Sequence, residues 1–236
     1  MQAEVERSGR DLLRAKATAI LNPSPARVEP PCPYFGRCGG CHYQQAAYAH
    51  QLEQKVLILR ETLRRIGKLE APEEIDVISG EPYGYRNRVQ LHARGSVFGY
   101  LEAGSHALCP IDQCLIASPR INAAIREVTA GRRFPRGVET IELFTNEEEL
   151  QVTPGAGAPI EYRVGADLYR VSRNSFFQVN RFLIEALIER ALEGAQGEIA
   201  MDLYAGAGLF TLPLGRRFRE VEAVETGGSA LRDLEF

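Results

Sequence analysis

No apolar run in the 236 residues approaches the ~20 that a bilayer-crossing helix needs. The first twenty carry Glu4, Glu6, Arg7, Arg10, Asp11 and Arg14 where a signal peptide would have its apolar core. These absences argue against a helical membrane span and a secretory leader, and the expectation is a reducing, cytoplasmic setting. In such a setting five cysteines point to metal ligands or free thiols rather than disulfides. There are no internal repeats and no low-complexity tracts. Lysine is scarce, 3 against 25 arginines, and the net charge of −3 gives no general attraction for nucleic acid. What remains, 44% hydrophobic and 25% charged, is the composition of one large or two ordinary globular domains.

The cysteines are unevenly placed. Cys32, Cys38 and Cys41 sit in one loop, Pro30-Pro-Cys-Pro-Tyr-Phe-Gly-Arg-Cys-Gly-Gly-Cys41, kept flexible by Gly36, Gly39 and Gly40. An iron–sulfur cluster asks for four soft thiolates, and Cys109 or Cys114 could supply the remaining one. Zinc held by three cysteines with His42 or a distant thiol is the rival reading, and buried free thiols are the bland one. Charge is uneven too. Between Gly84 and Arg136 stand eight arginines (86, 88, 94, 120, 126, 132, 133 and 136) against three acids, Glu102, Asp112 and Glu127. Such a block either faces phosphates or is a solvated surface.

Apolar periodicity sets the coarse structure. Ala15–Leu21 reads as a strand. From Ala46, the set Leu52, Val56, Leu59, Leu63 and Ile66 predicts an amphipathic helix with Gly67 as its C-terminal cap. Ile75–Ser79, Arg88–Ala93 and Val97–Leu101 read as strands, the last two joined at Arg94-Gly95-Ser96. Ser118-Pro119 opens a helix to about Ala130. Val138–Thr145 and Glu149–Val152 form a hairpin across residues 146–148, and Tyr162–Val171 is one more strand. Asn180 caps a helix over Arg181–Leu192. A buried strand Ile199–Tyr204, a glycine turn, a helix start at Phe210–Arg217 and a strand Val221–Val224 make a β-α-β unit.

That turn, Asp202-Leu-Tyr-Ala-Gly206-Ala-Gly208, lets the backbone pass close under a ligand, and Glu225 stands at the next strand's end to accept from ribose hydroxyls. Thr211 occupies the place of the third glycine that a pyrophosphate site wants. This tilts the site toward S-adenosylmethionine, although an ordinary tight turn has the same glycines. Asn174-Ser-Phe-Phe-Gln178-Val-Asn180 offers aromatics and amides for an adenosyl group, or simply a core staple and helix cap.

The cysteine loop, Tyr85-Arg-Asn-Arg88, Ser175-Phe-Phe-Gln178-Val-Asn180 and Asp202–Gly208 occur in this order in RNA uracil-C5 methyltransferases, which the chain resembles from about Ala15 onward. It is most similar to the iron–sulfur branch that methylates 23S ribosomal RNA, and less so to the tRNA branch. The resemblance implies an α+β central domain followed by the start of an α/β Rossmann-like methyltransferase domain. It divides the chain into a remnant of a TRAM-like β-barrel (1–30), an iron–sulfur and RNA-binding domain (31–172) and the beginning of the methyltransferase domain (173–236). It implies a [4Fe–4S] cluster on Cys32, Cys38, Cys41 and Cys114, since the family's fourth cysteine precedes an apolar stretch and a proline, as in Cys114-Leu-Ile-Ala-Ser-Pro119. S-adenosylmethionine would lie on Gln178, Asp202, Tyr204, Gly206, Gly208 and Glu225. Leu209 and Ala205 depart from the family, which often has Asn and Cys at those places.

The implied partner is RNA, rRNA before tRNA, with no membrane and an open oligomeric state. The family's nucleophilic cysteine and general base belong to a later part of the sheet, and no cysteine here follows Cys114. The expectation is therefore a truncated piece of a longer enzyme that does not turn over alone. A non-catalytic iron–sulfur RNA-binding module is the alternative.

Overall fold

The computed structural model describes residues 1–10, 12–131 and 137–236. Arg132, Arg133 and Arg136 of the basic block lie outside the described residues. The chain divides into two compact units, Met1–Pro33 with His42–Glu73, and Tyr34–Cys41 with Glu74–Phe236.

In the first unit, β1 (Gln2–Ser8) pairs antiparallel with β2 (Leu13–Ala19). The sequence shows only the second of these strands, because Glu4 and Glu6 hide the first behind charge on a ribbon exposed along its length. Arg27 and Ala46 form an isolated bridge, fixed by Val28 N–H to Gln45 O at 3.0 Å. Helix α1 (Tyr48–Thr62) then runs into a π turn over Leu63–Gly67. The periodicity is real, yet no residue of α1 is buried. The wider turn adds a residue, so the left-handed position falls on Lys68 (φ 54°) rather than Gly67. Arg60 donates to Pro72 O and Glu73 O, both at 2.6 Å, and so pins the outgoing chain to the helix.

The second unit is built on a five-stranded antiparallel sheet. Its strands are β3 (Arg88–Arg94), β4 (Val97–Leu101), β5 (Leu108–Pro110), β6 (Thr140–Thr145) and β7 (Leu150–Thr153), in the order β5-β4-β3-β6-β7. The tight turn at Gly95 is as the sequence predicts. Ile75–Ser79 forms no strand; the segment finds no ladder partner, and Val77 and Ile78 stay exposed. Helix α2 (Pro119–Thr129) starts as read, with Ser118 Oγ accepting from Ile121 N–H. It seats Ile121, Ala124, Ile125 and Val128 on Val89, Leu91, Ile141 and Leu143.

Phe144 points to the opposite face, since neighbours on a strand alternate. There it meets a second core made of the hairpin β8 (Ile160–Val164) and β9 (Asp167–Val171), Phe177, and helix α3 (Ile184–Ala191). The single strand expected at Tyr162–Val171 is thus two, folded at Gly165 (φ 55°). Helix α3 begins later than the sequence suggests. Asn180 caps only a preceding turn, accepting from Phe182 N–H at 3.2 Å. Strand β10 (Gly197–Leu203) pairs parallel with β11 (Phe218–Val224), with the short α4 (Thr211–Leu214) between them and α5 (Gly228–Leu234) after. The β-α-β reading holds, but β10 is not buried. Ile199, Met201 and Leu203 are 57–64% exposed.

Candidate functional site

The end of β10 carries a turn in which every second residue is left-handed: Tyr204 (φ 61°), Gly206 (φ 59°) and Gly208 (φ 83°). The two glycines have different jobs. A Cβ on Gly206 would meet nothing within 4 Å, so its backbone faces open space, whereas one on Gly208 would come 2.9 Å from Leu234 Cδ1 on α5. Gly206 leaves a cradle open, and Gly208 permits close packing. Tyr204 is 91% exposed above the cradle. A tyrosine held left-handed and unburied is a cost that folding alone does not explain.

Glu225 closes the turn from the neighbouring strand. Its Oε2 accepts from Gly206 N–H at 2.8 Å, and its Oε1 accepts from Thr226 and Gly227 N–H at 2.7 and 2.6 Å. These donors, Gly227 foremost, hold its carboxyl below the usual carboxylate value. A carboxylate has about four lone-pair sites. The three backbone donors therefore leave room for one ligand hydroxyl. Asp202 accepts from Thr211 Oγ1 at 2.6 Å, so the residue in the place of a third glycine braces the strand end.

The second and third sequence motifs meet. Asn87 N–H donates to Val179 O, Arg181 N–H donates to Tyr85 O, and Arg86 and Asn180 form a bridge. Asn87 is fully buried, and its Nδ2 donates to Tyr162 Oη at 3.0 Å and Gln178 O at 3.1 Å. The Gln178 backbone is thereby fixed from β3. The two aromatics before it diverge. Phe177 is core, beside Tyr162 and Tyr169, while Phe176 is 68% exposed and available to a planar ligand.

Asp233 ties α5 to the chain just before this segment. Its buried carboxylate accepts from Ser172 N–H at 2.7 Å and Ser172 Oγ at 2.5 Å. Tyr169 Oη adds a bond to Leu209 O at 3.1 Å. Asn87 enters the sequence reading only as part of the Tyr85–Arg88 motif and Asp233 not at all, because their partners lie 61–91 positions away.

Cys38, Cys41, Cys109 and Cys114 share one neighbourhood in the second unit. Residues 37–39 run beside the end of β4, with Gly39 N–H to Leu101 O and Ala103 N–H to Arg37 O, both at 2.9 Å. Burial pushes the Cys38 thiol up to about 11; Gly40 N–H opposes this, and the Cys109, Cys114 and Cys41 charges add to the rise. Cys114 is held by Asn122 of α2, which accepts from its N–H at 2.8 Å and donates to its carbonyl at 2.9 Å. Burial and then Cys114 raise the Tyr100 hydroxyl. Cys109 is fully buried in the sheet core, while Cys114 is half-buried. Cys32 belongs to the other unit. None of the five is in a disulfide. Among the described residues, no three His, Cys, Asp or Glu side chains are set together so as to hold a metal ion. The residues as placed therefore do not form a ready cluster site.

The described part of the basic block is not one solvated stripe. Arg88 is largely buried, 4.2 Å over the Phe144 ring and 3.2 Å from Glu142. Arg86 Nε donates to Arg88 O. No described helix is long and apolar enough to cross a membrane.

Residues 161–233 match the tRNA (Uracil-5-)-methyltransferase family. An RNA methyltransferase of Aquifex aeolicus is 30% identical over all of this chain, which covers 66% of that protein. The 23S rRNA (uracil(1939)-C(5))-methyltransferase RlmD of Alkalilimnicola ehrlichii is 27% identical over 94% of this chain and 62% of its own length. The chain thus spans less than two thirds of these curated relatives. The fold is that of the tRNA (uracil-54, C5)-methyltransferase of Pyrococcus abyssi, solved in complex with S-adenosyl-L-homocysteine. The TM-score is 0.73 at 23% identity, covering 98% of this chain and 67% of that one. Its turn, its motifs and these relatives agree: the chain belongs to the RNA uracil-C5 methyltransferase family.

Proposed function

We propose that this chain is the cofactor- and RNA-binding portion of an S-adenosylmethionine-dependent methyltransferase acting on C5 of a uridine in 23S rRNA, in the cytoplasm. One observation carries the reading: the left-handed turn Tyr204–Gly208, locked by the Glu225 carboxylate across the parallel pair β10–β11. Asp202 and Gly208 shape this turn, Gly206 leaves it open, and Glu225 keeps one acceptor site for a ribose hydroxyl. Gln178, fixed by Asn87, and Tyr204 complete the adenosyl contacts. S-adenosylmethionine, when bound there, supplies an electrophilic methyl group. The protein's part is to hold the adenosyl group and keep the donor in line with the base.

Uracil C5 is a poor nucleophile. A thiolate adding to C6 turns it into an enolate that takes the methyl group; a base then removes the C5 proton and the C6–S bond breaks, returning the thiolate. The base must leave its RNA stack to be reached. In the domain reading that goes with this, residues 1–30 belong to a TRAM-like barrel, 31–172 to the iron–sulfur and RNA-binding domain and 173–236 to the methyltransferase domain. The [4Fe–4S] reading on Cys32, Cys38, Cys41 and Cys114 rests on cysteine spacing in the sequence and not on their placement in the structure, and no step of the methyl transfer passes through it. Iron and sulfide analysis with a visible spectrum tests it. Colourless protein lacking iron after anaerobic purification would overturn it. The functional reading is tested by equilibrium binding of S-adenosylhomocysteine and of a uridine-containing rRNA hairpin; failure of both rejects it.

A further inference from the structure

The glycine turn and Glu225 both lean on one short helix. Helix α5 is capped at Gly227, whose N–H donates to Glu225 Oε1 at 2.6 Å and whose carbonyl accepts from Leu231 N–H at 2.8 Å. At its far end Leu234 lies against Gly208, where an added Cβ would meet Leu234 Cδ1 at 2.9 Å. One end of α5 thus sets a donor to Glu225, and the other backs the Gly208 side of the turn. Whatever fixes α5 fixes both walls.

Seven residues make about two helical turns, too few to stay helical unaided. The buried residues of α5 are Ala230 and Asp233, and an alanine offers little to pack. Asp233 is the anchor. Its side chain is fully buried, and the residue after β9 occupies both oxygens: Oδ2 accepts from Ser172 N–H at 2.7 Å and Oδ1 from Ser172 Oγ at 2.5 Å. Arg170 of β9 lies 3.7 Å from the same Oδ1, with its guanidinium 5.9 Å over the Phe236 ring. From β9 as well, Tyr169 Oη donates to Leu209 O at 3.1 Å and holds the residue after Gly208. This edge of the hairpin therefore grips the turn through Tyr169 and its supporting helix through Ser172. Burying a carboxylate is costly unless it is fully paired. What two bonds from one serine add over apolar contact is a fixed direction.

We infer that Asp233 is a positioning residue for the adenosyl site: bonded to Ser172, it holds α5 so that Gly227 and Leu234 shape the Glu225 and Gly208 walls. The inference rests on the cofactor reading above. Being buried, Asp233 acts through α5 and not by contact with the ligand.

The test is calorimetric titration of S-adenosylhomocysteine into the full chain and its variants, each with an unfolding curve. Asp233→Ala should weaken binding about tenfold, through loss of two hydrogen bonds to a charged acceptor. Asp233→Asn should recover to within about threefold, because its Oδ1 still accepts from Ser172 N–H while Nδ2 donates to a reoriented Oγ. Ile125→Ala, in the α2 core, should lose stability and keep wild-type affinity. Wild-type affinity in Asp233→Ala overturns the inference, as does an Asn variant as weak as the Ala one. Equal weakening in Ile125→Ala also overturns it, since affinity would then follow global stability. If Asp233→Ala does not fold, Ser172→Ala replaces it: binding should weaken about threefold, and unchanged affinity overturns the inference. If the unaltered chain binds no S-adenosylhomocysteine, the cofactor reading fails, and amide spectra decide whether Asp233 holds the two walls. Gly208 and Gly227 resonances should then move in Asp233→Ala and return in Asp233→Asn; unmoved resonances overturn the role.

Discussion

The sheet β3–β7 and the parallel pair β10–β11 carry similarly apolar strands and end up differently. In the first, α2 covers one face and leaves Leu91, Ile141 and Leu143 fully buried. In the second, Ile199, Met201 and Leu203 look outward while Ala200, Phe218 and Val221 reach the core. Apolar content makes a strand; a covering layer makes it buried. The catalytic consequence runs the other way. The well-covered sheet supplies rigid anchors such as Asn87, and the open pair supplies the turn proposed to meet the cofactor.

Four substitutions sharpen this contrast. Gly99→Ala should have the largest effect, because its Cβ would stand 2.0 Å from Cys109 O, where β5 cannot yield without breaking the ladder. We expect a loss of about 3 kcal/mol or more in urea unfolding. Wild-type stability would show that β4 and β5 are not paired as described. Next, Ile125→Ala should lose about 2–5 kcal/mol. Ile199→Ala should change stability by less than about 0.5 kcal/mol. Equal losses would mean that β10 is covered after all.

Asn87→Ala should cost about 1–3 kcal/mol, since it orphans the buried Tyr162 hydroxyl and Gln178 carbonyl. It should also weaken S-adenosylhomocysteine binding by freeing the Gln178 backbone. An unfolding curve and an affinity that both match wild type would remove Asn87 from the site. The smallest effect concerns pH. Glu225 has a folded-state value below its ordinary 4.5, so the stability it lends to the turn is present above that value and is lost as pH falls through the lower folded one. Cofactor-analogue affinity should decline in that acid window, and Glu225→Gln should flatten the decline. An unchanged profile in the variant would assign the titration elsewhere.

Much of this was legible because the signals are local. Ser118-Pro119 starts α2, Gly95 turns β3 into β4, and Asp202–Gly208 with Glu225 outlines a β-α-β nucleotide-type turn. Other features depend on distant partners. Charge on both faces concealed β1. Ile75–Ser79 has strand-like residues and no neighbour to pair with. The apolar stripe of α1 is present in the sequence, but nothing within its unit buries it. The braces on the candidate site, Asn87 to Gln178 and Asp233 to Ser172, cross 91 and 61 positions, beyond what a local pattern carries.

The Tyr204–Gly208 turn and Glu225 are proposed to receive the adenosyl group. Amide NMR of the chain titrated with S-adenosylhomocysteine addresses it most directly. Saturable shifts at Gly206, Gly208, Thr226 and Gly227 that vanish in Glu225→Gln are predicted. Unmoved resonances at all four, or identical shifts in the variant, would contradict it.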